Sequence, residues 1–112
     1  MKDEDLTVQR VDDIFTALDV PEPAEARARV DLASAITLEI RRRGLSQRAA
    51  AELLGIAQPD VSAIMNARVS GFSQERLGRL LNALDLEVRI QVGPRPAWKE
   101  HAGVSVERVD AF

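Results

Sequence analysis

Side chains able to turn over a substrate are scarce in this 112-residue chain, which holds one histidine, His101, and no cysteine. There is no glycine loop of the kind that cradles phosphates and no close acid pair set in an apolar run, which argues against an enzyme and against a metal or cofactor site. The chain does concentrate amide, guanidinium and hydroxyl groups in one stretch: Gln47, Arg48, Gln58, Ser62, Asn66 and Arg68, with the small apolar Ala63 among them. Groups of these types bind rather than react. Donors and acceptors interleaved with cations suit a polar, anionic surface, and duplex DNA is the commonest such surface.

These residues need elements to hold them, and the stretch Leu45 to Asn66, LSQRAAAELLGIAQPDVSAIMN, reads as two short helices joined by a tight turn. Ser46 stands at an N-cap position, able to accept from the orphan amides of a helix from Gln47 to about Leu54. Gly55 ends that helix, because glycine takes the left-handed conformation a sharp C-terminal turn needs, and Ile56 can then tuck into the core. A second helix begins at about Gln58, where Pro59 is tolerated because the first turn makes no use of its missing amide. Small Ala50 and Ala51 permit close approach, and Leu54, Ile56, Val61 and Ile64 supply the seam. This is the spacing of a helix-turn-helix, whose second helix enters the major groove. An ordinary αα-corner is the alternative reading, although alanine, glycine and seam aliphatics all fall in register for the former.

The same run resembles the helix-turn-helix of the Xre, or lambda-repressor-like, family, with its pattern [ST]-Q-x-x-[AL]-A-x-x-x-G-I-[ST]-Q-x-x-[VI]-S-x-[IL]. Ser46, Gln47, Ala51, Gly55, Ile56, Gln58, Val61, Ser62 and Ile64 match it. The flanking stretches RARVDLASAI and GFSQERLGRLLNALDLEV are similar to those of small HigA-type antitoxins and their Xre relatives, so the resemblance covers about residues 12 to 92. It implies that Gln58 reads a base edge, and a glutamine amide can pair bidentately with adenine N6 and N7. It implies that Gln47 touches phosphate and braces Gln58. Ser62 and Ala63 then suit a hydrogen bond and a thymine-methyl contact, while Arg48, Asn66 and Arg68 sit near phosphates and set register. One departure is Ala57, where the family usually has Ser or Thr; Asp60, an acid in the first turn, offers a partial substitute through the helix dipole. The subfamily further implies an antitoxin that binds a RelE/HigB-like toxin and represses the operon they share. A solitary Xre regulator, or an interaction module with a degenerate helix-turn-helix, are the alternatives. One reading head grips too few base pairs for selectivity, so a homodimer on a palindromic operator is expected.

Charge is distributed in keeping with this. The chain carries a net −3, yet residues 1–40 hold −6, residues 41–82 hold +4 and residues 83–112 hold −1. The positive segment coincides with the proposed reading head, where phosphates would need it, although arginines on solvated helix faces would give the same count. At this length one domain is expected. The missing cysteines and the absence of any apolar run near the roughly 18 residues of a membrane span lead to the expectation of a cytoplasmic chain with no membrane partner.

The remaining elements follow from punctuation and period. Residues 1–20 read as an N-terminal arm, with Ile14, Phe15 and Leu18 on a short helix. Pro21 and Pro23 precede a long helix from about Ala24 to Arg43, closed by Gly44, which brings Arg41, Arg42 and Arg43 to the edge of the motif. Those arginines suit either phosphate contact or favourable placement at a helix C-terminus. Ser73 caps a helix from Gln74 to Leu84, with Phe72 stapling back to Leu77. Leu86, Val88, Ile90 and Val92 then alternate with polar residues, the period of a half-buried strand. Its partner edge would be a second copy, another protein, or a hairpin with Val104–Val109. Trp98 and His101 fall in a stretch to which the pattern assigns no element. Pattern and resemblance together imply an all-α, lambda-repressor-like helix-turn-helix bundle of about five helices with a C-terminal β-strand. The expected units are an arm at 1–20, a DNA-binding domain at 21–85, and a strand and tail at 86–112.

Overall fold

Serines and glycines in the sequence mark several of the helix boundaries. The computed structural model describes residues 23–109, and in it four helices follow one another: α1, Pro23–Arg42; α2, Gln47–Leu54; α3, Gln58–Met65; and α4, Gln74–Ala83. The Ser46 hydroxyl accepts from the Ala49 amide at 3.0 Å and the Ser73 hydroxyl from the Arg76 amide at 3.0 Å, so α2 and α4 start where capping chemistry places them. At the other ends the chain repeats one device. Gly44, Gly55, Ala67 and Asp85 all take positive φ. The amides of the residues that follow them, Leu45, Ile56, Arg68 and Leu86, bond back to the carbonyls of Ile40, Ala51, Ala63 and Leu81 at 3.1, 3.1, 2.8 and 3.0 Å. These six-to-one closures satisfy carbonyls the helices leave open. At Ala67 and Asp85 a side chain is carried in the left-handed region, which costs about 1–2 kcal/mol over glycine.

Packing brings α1 against α3 and α4, and α2 against α3 and α4. Ile36 and Ile40 of α1, Ala50 of α2, Val61 and Ile64 of α3, and Leu77 and Leu84 at α4 are at most 1% exposed and form the centre of the core. Ala50 and Ala51 have no side chain beyond Cβ, and this lets α2 sit close on its neighbours. Phe72 is buried ahead of α4 beneath the Arg76 guanidinium, 4.5 Å from the ring centroid. The short α2 and α3 could not persist alone in water; they are held by this burial rather than by propensity.

One expectation is corrected, and another lies outside the described residues. There are four helices among the described residues; the short helix at Ile14–Leu18 lies outside them. The C-terminal strand is absent among them too. Residues 87–95 make no backbone-to-backbone hydrogen bond, and Ile90 and Val92 are 88% and 91% exposed. The physical reason is that a strand is a paired object: the alternation of LEVRIQV is present, but the single chain offers no edge to complete it. Val104–Val109 does not form the hairpin. It runs back along α1 instead, with Gly103 beside Ala24 and Val106 packed on the core.

A buried carboxylate lies at the end of α1. Glu39 is 1% exposed and accepts from Arg42 Nε at 2.9 Å and Arg42 Nη2 at 2.5 Å, and from Arg43 Nε at 2.7 Å. Arg43 also donates to the Leu84 carbonyl, joining the ends of α1 and α4. The hydrogen bonds from Arg42, reinforced by those from Arg43 and only partly opposed by burial, hold the Glu39 carboxyl down at about 2.

Candidate nucleic-acid interface

α3 divides its residues between two faces. Val61 and Ile64, three apart, are 0% and 1% exposed and turn inward, while Gln58 and Pro59 at its start are exposed. Ser62, Ala63 and Met65 are half-buried along the flank, and Asn66, Ala67 and Arg68 at its end are exposed. The outward ridge of α3 therefore presents an amide, a hydroxyl and small apolar surface in succession, the kinds of group that meet base edges in a groove.

Cap chemistry sets how α3 is held. Ala57 occupies the N-cap with no side-chain hydrogen bond, and Pro59 stands in the first turn. Asp60 is the acid near that end, and its carboxylate lies 3.6 Å from Arg76 Nη2 on α4. Both side chains are more than a third exposed, so this ion pair contributes at most about 1 kcal/mol and acts chiefly as a lateral tether between α3 and α4. At the far end Asn66 Nδ2 donates to the Ser62 carbonyl at 2.8 Å. Asn66 is thus partly engaged in closing α3, with its amide oxygen still outward.

The residues singled out from the sequence group around this ridge. Gln47, half-buried, and Arg48, exposed, open α2; Gln58, Ser62 and Ala63 lie on α3; Asn66 and Arg68 follow it. No hydrogen bond joins the Gln47 and Gln58 side chains among the described residues, so the brace expected between them is not in place in the free chain.

The arginines sort by partner. Arg27, Arg42, Arg43, Arg76, Arg79 and Arg89 each pair with a carboxylate. Among the described residues Arg29, Arg41, Arg48, Arg68, Arg95 and Arg108 have none, and four of these six, Arg41, Arg48, Arg68 and Arg108, belong to or adjoin the motif. Of the Arg41–Arg43 run, two members are committed to Glu39 and to the end of α4, and Arg41 alone has no carboxylate partner among the described residues. Sequence reading missed the buried Glu39, although its spacing of three and four from Arg42 and Arg43 is a readable signal. No group of three or more His, Cys, Asp or Glu able to hold a metal occurs among the described residues. None of the helices described is long and apolar enough to cross a membrane.

Comparison with known proteins agrees with this geometry. A family profile described as a helix-turn-helix domain matches residues 14–93. A solved structure named "Putative XRE Family Transcriptional Regulator" is 45% identical, with a TM-score of 0.71 over 79% of this chain and 99% of that one. No curated protein matches the chain. The profile spans well over half of the sequence and the relative is matched along nearly its whole length, so the chain belongs to the XRE family of helix-turn-helix proteins.

Proposed function

We propose that the chain is a sequence-specific DNA-binding repressor that lays α3 in the major groove, with Gln58 reading a base edge. In this reading Ser62 and Ala63 make secondary contacts, and Gln47, Arg48, Asn66 and Arg68 fix register on phosphates. The observation that carries it is the split of α3: Val61 and Ile64 anchor the helix in the core while Gln58 stands exposed at its start, and the exposed Arg48 and Arg68 of the same motif have no carboxylate partner among the described residues. The chain acts as a homodimer on a palindrome, each copy contributing one α3, and it carries out no catalytic step. We further propose that it is the antitoxin of a type II pair, neutralising a RelE/HigB-like toxin. The net −6 of residues 1–40 supports a basic protein partner of this kind. A solitary regulator is the second reading, favoured by the relative's name, which mentions regulation only. Co-purification of a small basic protein encoded next to the chain supports the antitoxin; its consistent absence favours the solitary regulator.

Fluorescence anisotropy on the chain's own upstream DNA tests the base-reading role. Gln58→Ala is expected to weaken the specific site by about 1–3 kcal/mol, roughly 5- to 150-fold, with little change on random duplex. Equal loss on both sequences would remove Gln58 from the account. Arg48→Ala is expected to lower affinity for every sequence alike.

A further inference from the structure

The C-terminal segment ends in a place the helix-turn-helix alone does not explain. From Gly103, against Ala24 at the start of α1, it runs beside α1 through Val106, which packs on the core, to Arg108. Arg108 lines a cleft of about 390 Å³ together with Ser34, Thr37 and Arg41 of α1 and with Met65 and Ala67 at the end of α3. Five extended steps from Gly103 to Arg108 cover roughly 17 Å, and the ten-residue rise from Ala24 to Ser34 covers about 15 Å, so an extended strap along α1 accounts for this placement.

The chemistry of the cleft is that of an anion seat. Two arginines line it, and neither has a carboxylate within ion-pair distance among the described residues. No carboxylate among the described residues lines it. The C-terminal end of α3 is itself partially negative, so an anion resting there needs strong cations around it, and two arginines provide them. The Thr37 hydroxyl donates to the Ala33 carbonyl at 2.9 Å and is spent, which leaves Ser34 and the guanidiniums as donors. A volume of about a dozen waters, at roughly 30 Å³ each, leaves room for a phosphate with part of its hydration. The cleft is also continuous with the interface: Ala67 sits between Asn66 and Arg68, the two residues assigned to phosphates at the end of α3.

We propose that Arg41 and Arg108 together seat a backbone phosphate of the bound duplex in this cleft, so that the C-terminal strap completes the contact surface α3 begins. The inference rests on the reading of α3 as a DNA-binding helix. It adds two residues from outside the motif, one delivered by the tail.

The test measures anisotropy of the full chain on operator and on random duplex between about 50 and 200 mM salt. Arg41→Ala and Arg108→Ala should each make the plot of log affinity against log salt shallower by about 0.9, the value for one phosphate, with the ratio of operator to random affinity unchanged. The double variant should lose little more than either single one, since both arginines share one phosphate, and Arg108→Lys should restore most of the slope. Unchanged slopes in both single variants, with wild type binding DNA, overturn the inference and leave the proposed function standing. Wild type that binds no duplex overturns both, and that outcome is visible before any variant is made. Titration with inorganic phosphate separates the two sources of such an anion. Saturable binding abolished in Arg41→Ala and Arg108→Ala, with DNA slopes unaltered, would assign the cleft to a free phosphate and overturn the duplex reading.

Discussion

At the residue scale the chain separates groups that hold the fold from groups left for a partner, and Glu39 shows how. It is a carboxylate, a residue type that belongs to solvent, at a position helical spacing turns inward, three after Ile36 and seven after Leu32, and there it is buried and gathers two arginines. Its folded pKa of about 2 lies below the ordinary 4.5, so its contribution to stability is fully present above pH 4.5 and is lost as pH falls from 4.5 through 2. Thermal melts across that window should show wild type losing stability steeply. Glu39→Gln should be less stable at neutral pH by about 1.5–3 kcal/mol, the range for hydrogen bonds to charged groups, and should lose less on acidification. Parallel acid limbs for the two proteins would mean that the cluster contributes nothing. The same residue decides what two arginines of the basic run do: burial of its acid against Arg42 and Arg43 shows their charge already matched within the fold. Gln58, Arg48 and Arg68, by contrast, sit where sequence reading put them, exposed around α3.

At the scale of elements, what could be read from the sequence follows local chemistry closely. The starts of α2 and α4 were legible because a serine hydroxyl three residues ahead of an open amide has one favourable use there. The ends of α1 and α2 were legible because Gly44 and Gly55 tolerate the left-handed turn. Ala67 and Asp85 perform the same turn without announcing it, and so the closures after α3 and α4 were hidden. The segment LEVRIQV was misread for a different reason: alternation reports which face a strand would bury, whereas pairing depends on an edge that no local pattern reveals. Of the starts of α2, α3 and α4, that of α3 is the one without a side-chain cap, since Ala57 supplies no hydroxyl. Ala57→Ser should therefore raise stability by about 0.5–1 kcal/mol in urea unfolding, by giving the first turn a side-chain acceptor. No gain, with the cap hydrogen bond formed, would mean that Asp60 already serves this end of the helix.

At the scale of the whole molecule, the four helices present a reading ridge on one element and leave an apolar ribbon, Val88 to Val92, open to solvent. Under the proposed function that ribbon pairs two copies antiparallel, supplying the edge each chain lacks and fixing two α3 helices about 34 Å apart, one turn of duplex. Ile90→Asp should then convert a dimer to a monomer in sedimentation equilibrium, with helical circular dichroism unchanged because Ile90 touches little of its own fold. A dimer that survives this change would move the subunit contact elsewhere. The central claim, that α3 is the element meeting the bases, is tested most directly by amide chemical-shift mapping of the labelled chain as its upstream duplex is added. The account predicts the largest shifts at Gln58, Ser62, Asn66 and Arg68, with Glu75 and Arg79 on the outside of α4 nearly still. Largest shifts at α4 or along the C-terminal ribbon, with Gln58 to Met65 unmoved in the bound state, would contradict it.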